Sequence, residues 1–578
     1  MRSTIRILAL TSCAAVMSLG AARAQETPMQ FWHQEWSRER HASVQQDYGR
    51  DHAPRWFGGD GYGSMGEQDN RRPRGPMPQV HVSNPTFYDY KPDALKPVSL
   101  DKLCTPPAPA QPPVAGTAGP ETTGAAVADD QAPSSFAQAC ASLAGASLRM
   151  LPEVSRAVAA WYGAHPALVW SDGNGVSAKA LAAIAVLNAS GVVGLDPADY
   201  RVETPNLDGL DDQARQAALL RFDVALSAKA LTYVLDAQRG RVDPDRISGY
   251  HDLPRKTVDL AAAMSTMTGD GDVAHWLQAQ NPDNAQFKAL VAELARLRAD
   301  GPAPEPRHSG KSRHKHRDSA ADKIAKVEMS LERLRWLPQQ FGDRYVFLNQ
   351  PAFEVTYFNG NDKPLSMRAV VGRPDAQTYF FVDHIKDVQY NPYWNVPRSI
   401  VVNEMLPKLY RDGSYLDDHG YEVLNQRGRQ IASNSVDWAA FAKNAASVEV
   451  RQPPGRRNAL GLVKIEFPNK HAIYMHDTPE KSFFTRDMRA LSHGCVRLQH
   501  PKEMAAALLG KSVGYVEKQI ARGENASERV GADIPVYLAY FTAWPDPDGA
   551  VRYYGDVYDR DAHLKTALEK TEAARKDG

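Results

Sequence analysis

The spacing of apolar residues changes near Pro338, and this change constrains the fold more than any other feature of the sequence. Within residues 136–300, apolar side chains recur at helical intervals, as Val154, Val158 and Trp161 do. After Pro338 they alternate with polar residues at a period of two, which is typical of strands. The order of these segments predicts a multidomain α+β protein, in which an α-helical domain precedes a β-rich domain.

The length of the chain and its turn- and linker-forming residues predict further domain boundaries. At 578 residues it is too long for one ordinary domain, so two or three folded units are expected. Within the helical domain, the predicted helices are Ala178–Ser190, Gln213–Arg239 and Gln286–Arg298. After it we expect a basic, Pro-containing linker at 301–320, a β-rich domain at 321–560 with a helical insertion at about 400–455, and a tail at 561–578.

The β-rich domain has readable strands and turns. The first predicted strands are Tyr345–Leu348, Phe353–Tyr357 and Leu365–Val371. Asn359-Gly360 lies between the last two and is a hairpin turn signal. If the protein is an enzyme, its catalytic residues are expected around neighbouring strands of this domain.

The start of the chain has the features of a secretory signal. Over residues 1–24, Arg2 and Arg6 precede a largely apolar run, and Ala22-Arg23-Ala24 offers a small-x-small cleavage site. Residues 25–135 show neither period and are rich in Gly, Pro and Ala, which predicts a mostly disordered tether. We therefore expect the mature protein to work outside the cytoplasm, in an oxidising compartment.

Charge and hydropathy exclude two broad classes. Lys plus Arg and Asp plus Glu number 68 each, so the formal net charge is zero and a dedicated DNA or RNA binder is not expected. After the signal, the sequence has no run of about 18 consecutive apolar residues, so a polytopic membrane protein is not expected either.

The cysteines divide into a candidate pair and an odd thiol. Of the four, Cys13 would leave with the signal, while Cys104 and Cys140 flank one low-complexity segment. A disulfide between these two would close a loop and stabilise the fold by roughly 4 kcal/mol in the chain-entropy account. Cys495 is then unpaired, and a lone thiol in an exported protein usually has a function or a partner.

Cys495 lies in a pattern that suits nucleophilic catalysis. His476 ends a predicted strand, and the loop Ser492-His493-Gly494-Cys495 follows it in the sequence. A thiolate, held by a nearby imidazole, is the reactive form of cysteine, and Gly494 would permit a sharp turn that presents backbone N–H groups to an oxyanion. The alternatives are a buried structural cysteine or a zinc site, although zinc commonly uses paired cysteines. The pattern favours a Cys–His site.

The same residues carry a family resemblance. The pattern from His476 to Ser492-His493-Gly494-Cys495-Val496-Arg497 resembles the signature of the L,D-transpeptidases (YkuD-type catalytic domain), which cross-link bacterial peptidoglycan. Further likeness to a large periplasmic subgroup lies in Val371–Pro374, Asn391–Pro397, Asn458–Gly461 and Thr485–Asp487. In that subgroup a helical scaffold precedes a β-sandwich catalytic domain, and an insertion caps the cleft. The resemblance thus implies a periplasmic location.

The resemblance also implies roles for individual residues. Cys495 would be the acylated nucleophile, His476 its general base, and the N–H groups around Gly494 and Cys495 the oxyanion hole. His493 and Ser492 would shape the pocket, with a structural role for His493 left open. The residues expected to brace the loop or contact substrate are Arg497, Tyr474, Trp394, Arg486 and Arg489. For the two aromatic residues a place in the core stays open, and for Arg486 and Arg489 an exposed cationic loop does.

The implied reaction needs neither cofactor nor metal. Cys495 would attack the carbonyl of the L-centre of meso-diaminopimelate in a tetrapeptide stem, release D-alanine, and pass the acyl group to an amine of a neighbouring stem, giving a 3-3 bridge. Carbapenem β-lactams would acylate the same sulfur. The alternatives are 1-3 links through L-alanine, attachment of proteins to the wall, a Cys–His endopeptidase or carboxypeptidase, and a non-catalytic wall-binding protein. Linker 301–320 stands where relatives often carry a peptidoglycan-binding module, which leaves glycan targeting open.

Overall fold

The computed structural model describes residues 76–103, 135–172, 175–300 and 318–576. The signal-like segment 1–24, Cys104 and residues 301–317 of the predicted linker lie outside these ranges. Within the described part, no helix is long and apolar enough to cross a membrane.

Residues 76–103 depart from the expected tether because they pack on the folded body. Strand β1 (Lys96–Ser99) pairs antiparallel with β2 (Ser147–Met150), and the short helix α1 (Leu100–Leu103) buries both of its leucines. Composition was misleading here because a few apolar side chains suffice when a neighbouring helical domain supplies the rest of the core.

The helical domain is organised around one long central helix. From Leu219 onwards, most residues of the helix spanning Asp212–Arg239 are buried, so it forms the centre of the domain core. Side chains of Ser177 and Asp211 cap two helices by accepting from amides of their first turns. All three predicted helices are confirmed within two residues. The helices are α2 (Ser135–Ser142), α3 (Pro152–Ala164), α4 (Ala178–Asn188), α5 (Asp212–Arg239), α6 (Leu260–Thr268), α7 (Val273–Gln278) and α8 (Ala285–Asp300).

Three short strands accompany these helices, and the β-rich domain follows them in the chain. The short strands are β3 (Ser171–Asp172), β4 (Gly175–Val176) and β5 (His251–Asp252). Helix α9 (Ala320–Trp336) starts at a capping box formed by Ser319 and Asp322 and leads into the β-rich domain. The predicted strands are confirmed, and the first strands are β6 (Arg344–Asn349), β7 (Glu354–Asn359), β8 (Leu365–Gly372), β9 (Phe380–His384) and β10 (Asp387–Tyr390).

The insertion predicted as helical is a mixed α/β subdomain with its own core, which we call the cap. Trp438, Leu409 and Val423 are fully buried at its centre. Its strands were not predicted because two to four residues are too few to show a period of two. They are β11 (Trp394–Asn395), β12 (Glu422–Leu424), β13 (Gln430–Ile431) and β14 (Glu449–Gln452), in the order β11-β14-β12-β13. The helices are α10 (Arg398–Ile400), α11 (Leu406–Leu409), α12 (Tyr415–Asp418) and α13 (Trp438–Ala442), with a π-helical turn at Val401–Met405.

The remaining strands complete a large curled sheet. They are β15 (Val463–Glu466), β16 (Met475–His476), β17 (Ala490–Ser492), β18 (Val496–Leu498), β19 (Ala526–Arg529) and β20 (Pro535–Ala539), followed by the separate hairpin of β21 (Ala543–Pro545) and β22 (Val551–Tyr553). The sheet order is β19-β10-β15-β16-β18-β8-β7-β6-β20-β9-β5, with β17 beside β8. Two helices flank it, α14 (Pro501–Leu509) and α15 (Val513–Ala521).

The predicted tail is a helix, α16 (Arg560–Lys576). It buries Arg560, Leu564 and Ala567, and near its end Arg575 binds Asp236 of helix α5. A charged sequence concealed this helix because its packed face includes two arginines. Arg575 is paired with acids of the scaffold, and Arg560 donates to Gln377 and to the carbonyl of Thr378.

Candidate active site

The predicted Cys–His pair lies on strand β16 and on the turn that leads into its neighbouring strand β18. Strands β16 and β18 run parallel, with His476 opposite Arg497, and the Val496 amide donates to the Tyr474 carbonyl at 3.0 Å. Tyr474 therefore lies beside Cys495, one residue before the paired stretch. Alternate residues of a strand point to the same side of the sheet, and so do register neighbours on adjacent strands. Tyr474 and His476 therefore lie on the same side of the sheet as Cys495 and Arg497.

The turn Ser492–Cys495, which we call the nucleophile turn after its candidate nucleophile, is fixed by its own side chains and by a neighbouring loop. The Ser492 hydroxyl donates to the Cys495 carbonyl at 2.6 Å and accepts from the Gly494 amide at 3.1 Å. Gly494 has a φ of +116°, a conformation that favours glycine. Thr378 donates to the Gly494 carbonyl at 2.7 Å. Ser492 is thus a brace of the turn, and the Gly494 amide is committed to it.

The Cys495 sulfur is half-buried and touches two groups from the adjacent strand and loop. Its distance to the Ala472 carbonyl oxygen is 3.6 Å, and the Tyr474 hydroxyl donates to it. Burial raises the pKa of the Cys495 thiol, while Tyr474 and the charge of Arg497 act in the opposite direction. The net effect is a thiol that holds its proton more strongly than an ordinary cysteine, and the Ala472 carbonyl accepts that proton's hydrogen bond.

His476 is buried and held in one tautomer. Its Nδ1–H donates to the carbonyl of Asp477, which leaves Nε2 as the acceptor of the neutral ring. Burial, assisted by the charge of Arg497, lowers the pKa of His476 to about 3. Both shifts favour a neutral thiol and a neutral imidazole near pH 7. This differs from the sequence-based expectation of a sulfur held ionised by imidazole, because burial penalises both charges.

The cap comes close to Cys495 through Trp394. Side-chain hydrogen bonding with Trp394 lowers the pKa of the Tyr474 hydroxyl, and side-chain hydrogen bonding with Cys495 raises it. The Lys464 ammonium lies 4.4 Å from the centroid of the Tyr474 ring. Burial raises the pKa of Tyr474, so its hydroxyl remains a donor. Tyr474 thus lies next to the sulfur and Trp394 lies near Tyr474, and contact of either residue with substrate stays a prediction.

His493 connects the nucleophile turn to the cap. Its Nε2 lies 2.5 Å from Glu404 Oε1 and 2.7 Å from Arg373 Nη1. Glu404 lies in the π-helical turn of the cap, and its pKa is lowered by His493 and Arg373 against the opposing effect of burial. Sequence reasoning missed Glu404 because a single acid in a helical run has no distinguishing pattern.

The three predicted arginines have different surroundings. Arg497 is buried, and its guanidinium lies 5.3 Å from the centroid of the Phe483 ring. Arg489 is also buried and donates to the carbonyls of Ala369 and Phe353 at 3.1 and 3.0 Å. Arg486 is exposed. Arg489 therefore holds main-chain carbonyls in place, and its contact with substrate stays a prediction.

The two other predicted cysteines concern the scaffold. Cys140 lies on α2 and is disulfide-bonded, and its sulfur is 3.4 Å from the carbonyl oxygen of Asp101, shortly before Cys104 in the sequence. Cys104 is outside the described residues, so the Cys104–Cys140 bond stays a prediction. Among the described residues, Cys495 carries a free thiol.

Comparison with known proteins agrees with this architecture. Residues 343–530 match the family model of the L,D-transpeptidase catalytic domain, and residues 156–294 match that of the scaffold domain. A Haemophilus influenzae protein named "Putative L,D-transpeptidase" is 33% identical over 246 residues, which are 42% of this chain and 49% of that protein. The chain therefore spans about half the length of the curated relative it matches. Residues 343–530 therefore carry an L,D-transpeptidase catalytic domain, and a scaffold domain precedes it in the chain.

Proposed function

We propose that the protein is a peptidoglycan L,D-transpeptidase that works through a thioester on Cys495. The observation that carries this proposal is the parallel pairing of β16 and β18, which puts a tautomer-fixed histidine on the strand next to a half-buried free thiol, two residues after Tyr474, the register neighbour of Cys495. The family match supports peptide stems of peptidoglycan as the substrate class.

Because the Cys495 thiol and the His476 imidazole are both neutral, proton transfer accompanies the attack of the sulfur. As the sulfur attacks the donor carbonyl, the thiol proton passes to Nε2 of His476, and the resulting imidazolium is stabilised by the Asp477 carbonyl. The Cys495 amide is the oxyanion donor we propose, since the Gly494 amide is bound to Ser492. Collapse of the tetrahedral intermediate returns the proton to the leaving amine of D-alanine and leaves the thioester. An acceptor amine then attacks, loses its proton to His476, and releases the thiol.

The donor that we propose is the L-centre of meso-diaminopimelate in a tetrapeptide stem, and the acceptor is the side-chain amine of a neighbouring stem. The cap supports transfer over hydrolysis because Trp394 and Glu404 place it over the nucleophile turn, where water would compete for the thioester. The signal-like first 24 residues support export to the periplasm, where such stems are found.

Incubation of the purified protein with disaccharide-tetrapeptide tests this proposal. Mass spectrometry is expected to show a 3-3 dimer and free D-alanine, and the matched variant Cys495→Ser is expected to give neither. A tetrapeptide shortened to a tripeptide, without dimer, would contradict transfer and favour hydrolysis. Dimers joined through L-alanine would contradict the 3-3 assignment alone, and unchanged stems would contradict the enzyme.

A further inference from the structure

The scaffold domain comes close to Cys495 through one short strand. Strand β5 belongs to the matched scaffold segment 156–294, yet it pairs in parallel with β9 of the catalytic sheet, with Asp252 opposite Phe381. β5 is the edge of that sheet. Asp252 is therefore a scaffold residue that lies on the catalytic domain.

The Asp252 carboxylate binds two adjacent side chains of the loop before β16. Oδ2 lies 2.8 Å from His471 Nε2, and Oδ1 lies 2.8 Å from Lys470 Nζ. The His471 side chain is only 9% exposed and stacks on the Tyr379 ring with 3.8 Å between centroids, whereas Lys470 is 71% exposed. The contact with His471 is thus the one held in place by packing.

The residue after His471 contacts the nucleophile. Ala472 has a φ of +53°, which residues other than glycine rarely adopt, and its carbonyl oxygen lies 3.6 Å from Cys495 Sγ. Such a conformation persists only where the surroundings hold it. Asn469 holds the loop from within by accepting from the amides of His471 and Ile473 at 3.1 Å. Asp252 holds it from the scaffold.

We propose that Asp252 is a positioning residue of the active site. By binding His471 it fixes the Ala472 carbonyl, which accepts a hydrogen bond from the Cys495 thiol and thereby orients the sulfur for attack. The scaffold domain then contributes to catalysis through a chain of contacts, in addition to supporting the fold. This inference rests on the proposed function only in taking Cys495 as the nucleophile.

Acylation of the full-length protein by 4-nitrophenyl acetate tests the inference without a peptidoglycan substrate. The rate of nitrophenol release that depends on Cys495 is obtained by subtracting the rate of Cys495→Ser. Asp252→Ala is expected to lower this rate about tenfold, because a small misplacement of a nucleophile is costly. Asp252→Asn keeps an oxygen acceptor for His471 and is expected to retain the rate within about twofold. Lys470→Ala is the matched control, since it removes the exposed partner of the same carboxylate, and it should have no effect.

A double variant separates positioning from general destabilisation. His471→Ala is expected to reproduce the loss of Asp252→Ala, and the two changes together should cost no more than either alone, because they interrupt one chain of contacts. Thermal unfolding shows whether Asp252→Ala is folded. If it is not, the inference is tested by the two single variants His471→Ala, which should lose the rate, and Asp252→Asn, which should keep it. A folded Asp252→Ala with the wild-type rate, or additive losses in the double variant, would overturn the inference. Absence of Cys495-dependent release in the wild type would instead contradict the proposed nucleophile.

Discussion

Buried charged groups are matched differently in two regions of this protein, the contact between the scaffold and the C-terminal helix and the surroundings of the nucleophile. In the first region, Arg575 donates to both carboxylate oxygens of Asp236, at 2.6 and 3.0 Å, and to Asp199 at 2.8 Å. Arg241 binds the same Asp199 at 2.9 Å. Every charge in this group faces an opposite charge, so the cluster joins α16 to α5 and leaves no group poised for proton transfer.

Around the nucleophile, the buried groups are a thiol, an imidazole, a phenol and a guanidinium. Arg497 and burial together keep His476 neutral, while burial keeps Cys495 protonated against the smaller effect of Arg497. Matched charges therefore fix a domain contact, whereas a cation placed among neutral titratable groups determines which of those groups hold a proton. Each of the following changes should affect one region and leave the other unaffected.

The largest effect is expected from His476→Gln. This change removes the proton acceptor while keeping a polar side chain of similar length, so acylation of Cys495 should fall by about 10²- to 10⁴-fold. Single-turnover acylation by a tetrapeptide or a carbapenem, followed by intact-protein mass, measures it. Stability toward urea serves as the control, and acylation at the wild-type rate would show that His476 is not the base.

The next effect is on stability and is expected from Asp236→Ala. Removal of one partner leaves Arg575 buried without its bidentate acceptor, which typically costs about 3–5 kcal/mol of unfolding free energy. Urea unfolding measures the loss, and Lys288→Ala, in an exposed pair with Asp283, should change it by less than about 1 kcal/mol. Thiol alkylation by iodoacetamide should be unchanged while the variant is folded. A large change in alkylation rate would break the separation of the two regions.

A smaller effect is expected from Arg497→Leu, and it has a definite sign. The guanidinium opposes the effect of burial on Cys495, so its removal should raise the pKa of the thiol further and move the alkylation profile to higher pH. Arg486→Leu, which removes an exposed arginine close in sequence, should leave the profile in place. A shift to lower pH for Arg497→Leu would contradict the account.

The smallest effect is expected from Glu404→Gln. The contact between Glu404 and His493 is about one third exposed on both sides, so its loss should change stability by less than about 1 kcal/mol. The hydrolysed share of donor should nevertheless rise, since this pair ties the cap to the nucleophile turn. A product ratio equal to that of the wild type would show that the cap stays in place without it.

The predicted parts of the molecule were those with long periodic patterns or a dense motif. Helix α5 and strands β6 to β8 followed from spacing alone, and the Ser492–Cys495 loop was conspicuous in the sequence. The orienting groups had no such signal, because the carbonyls of Asp477 and Ala472 belong to the main chain and any residue type supplies one. Contacts of long range, such as that of Asp252 with a histidine 219 positions away, depend on the completed fold.

The most direct test of the account is to locate the acyl group after brief incubation with a tetrapeptide donor, using acid quenching, proteolysis and peptide mass mapping. If Cys495 forms the thioester, a single modified peptide should contain Cys495 and carry the mass of the donor less D-alanine. The linkage should show the sensitivity to hydroxylamine expected of a thioester. An adduct on another residue, or turnover of donor by Cys495→Ser at the rate of the wild type, would contradict it.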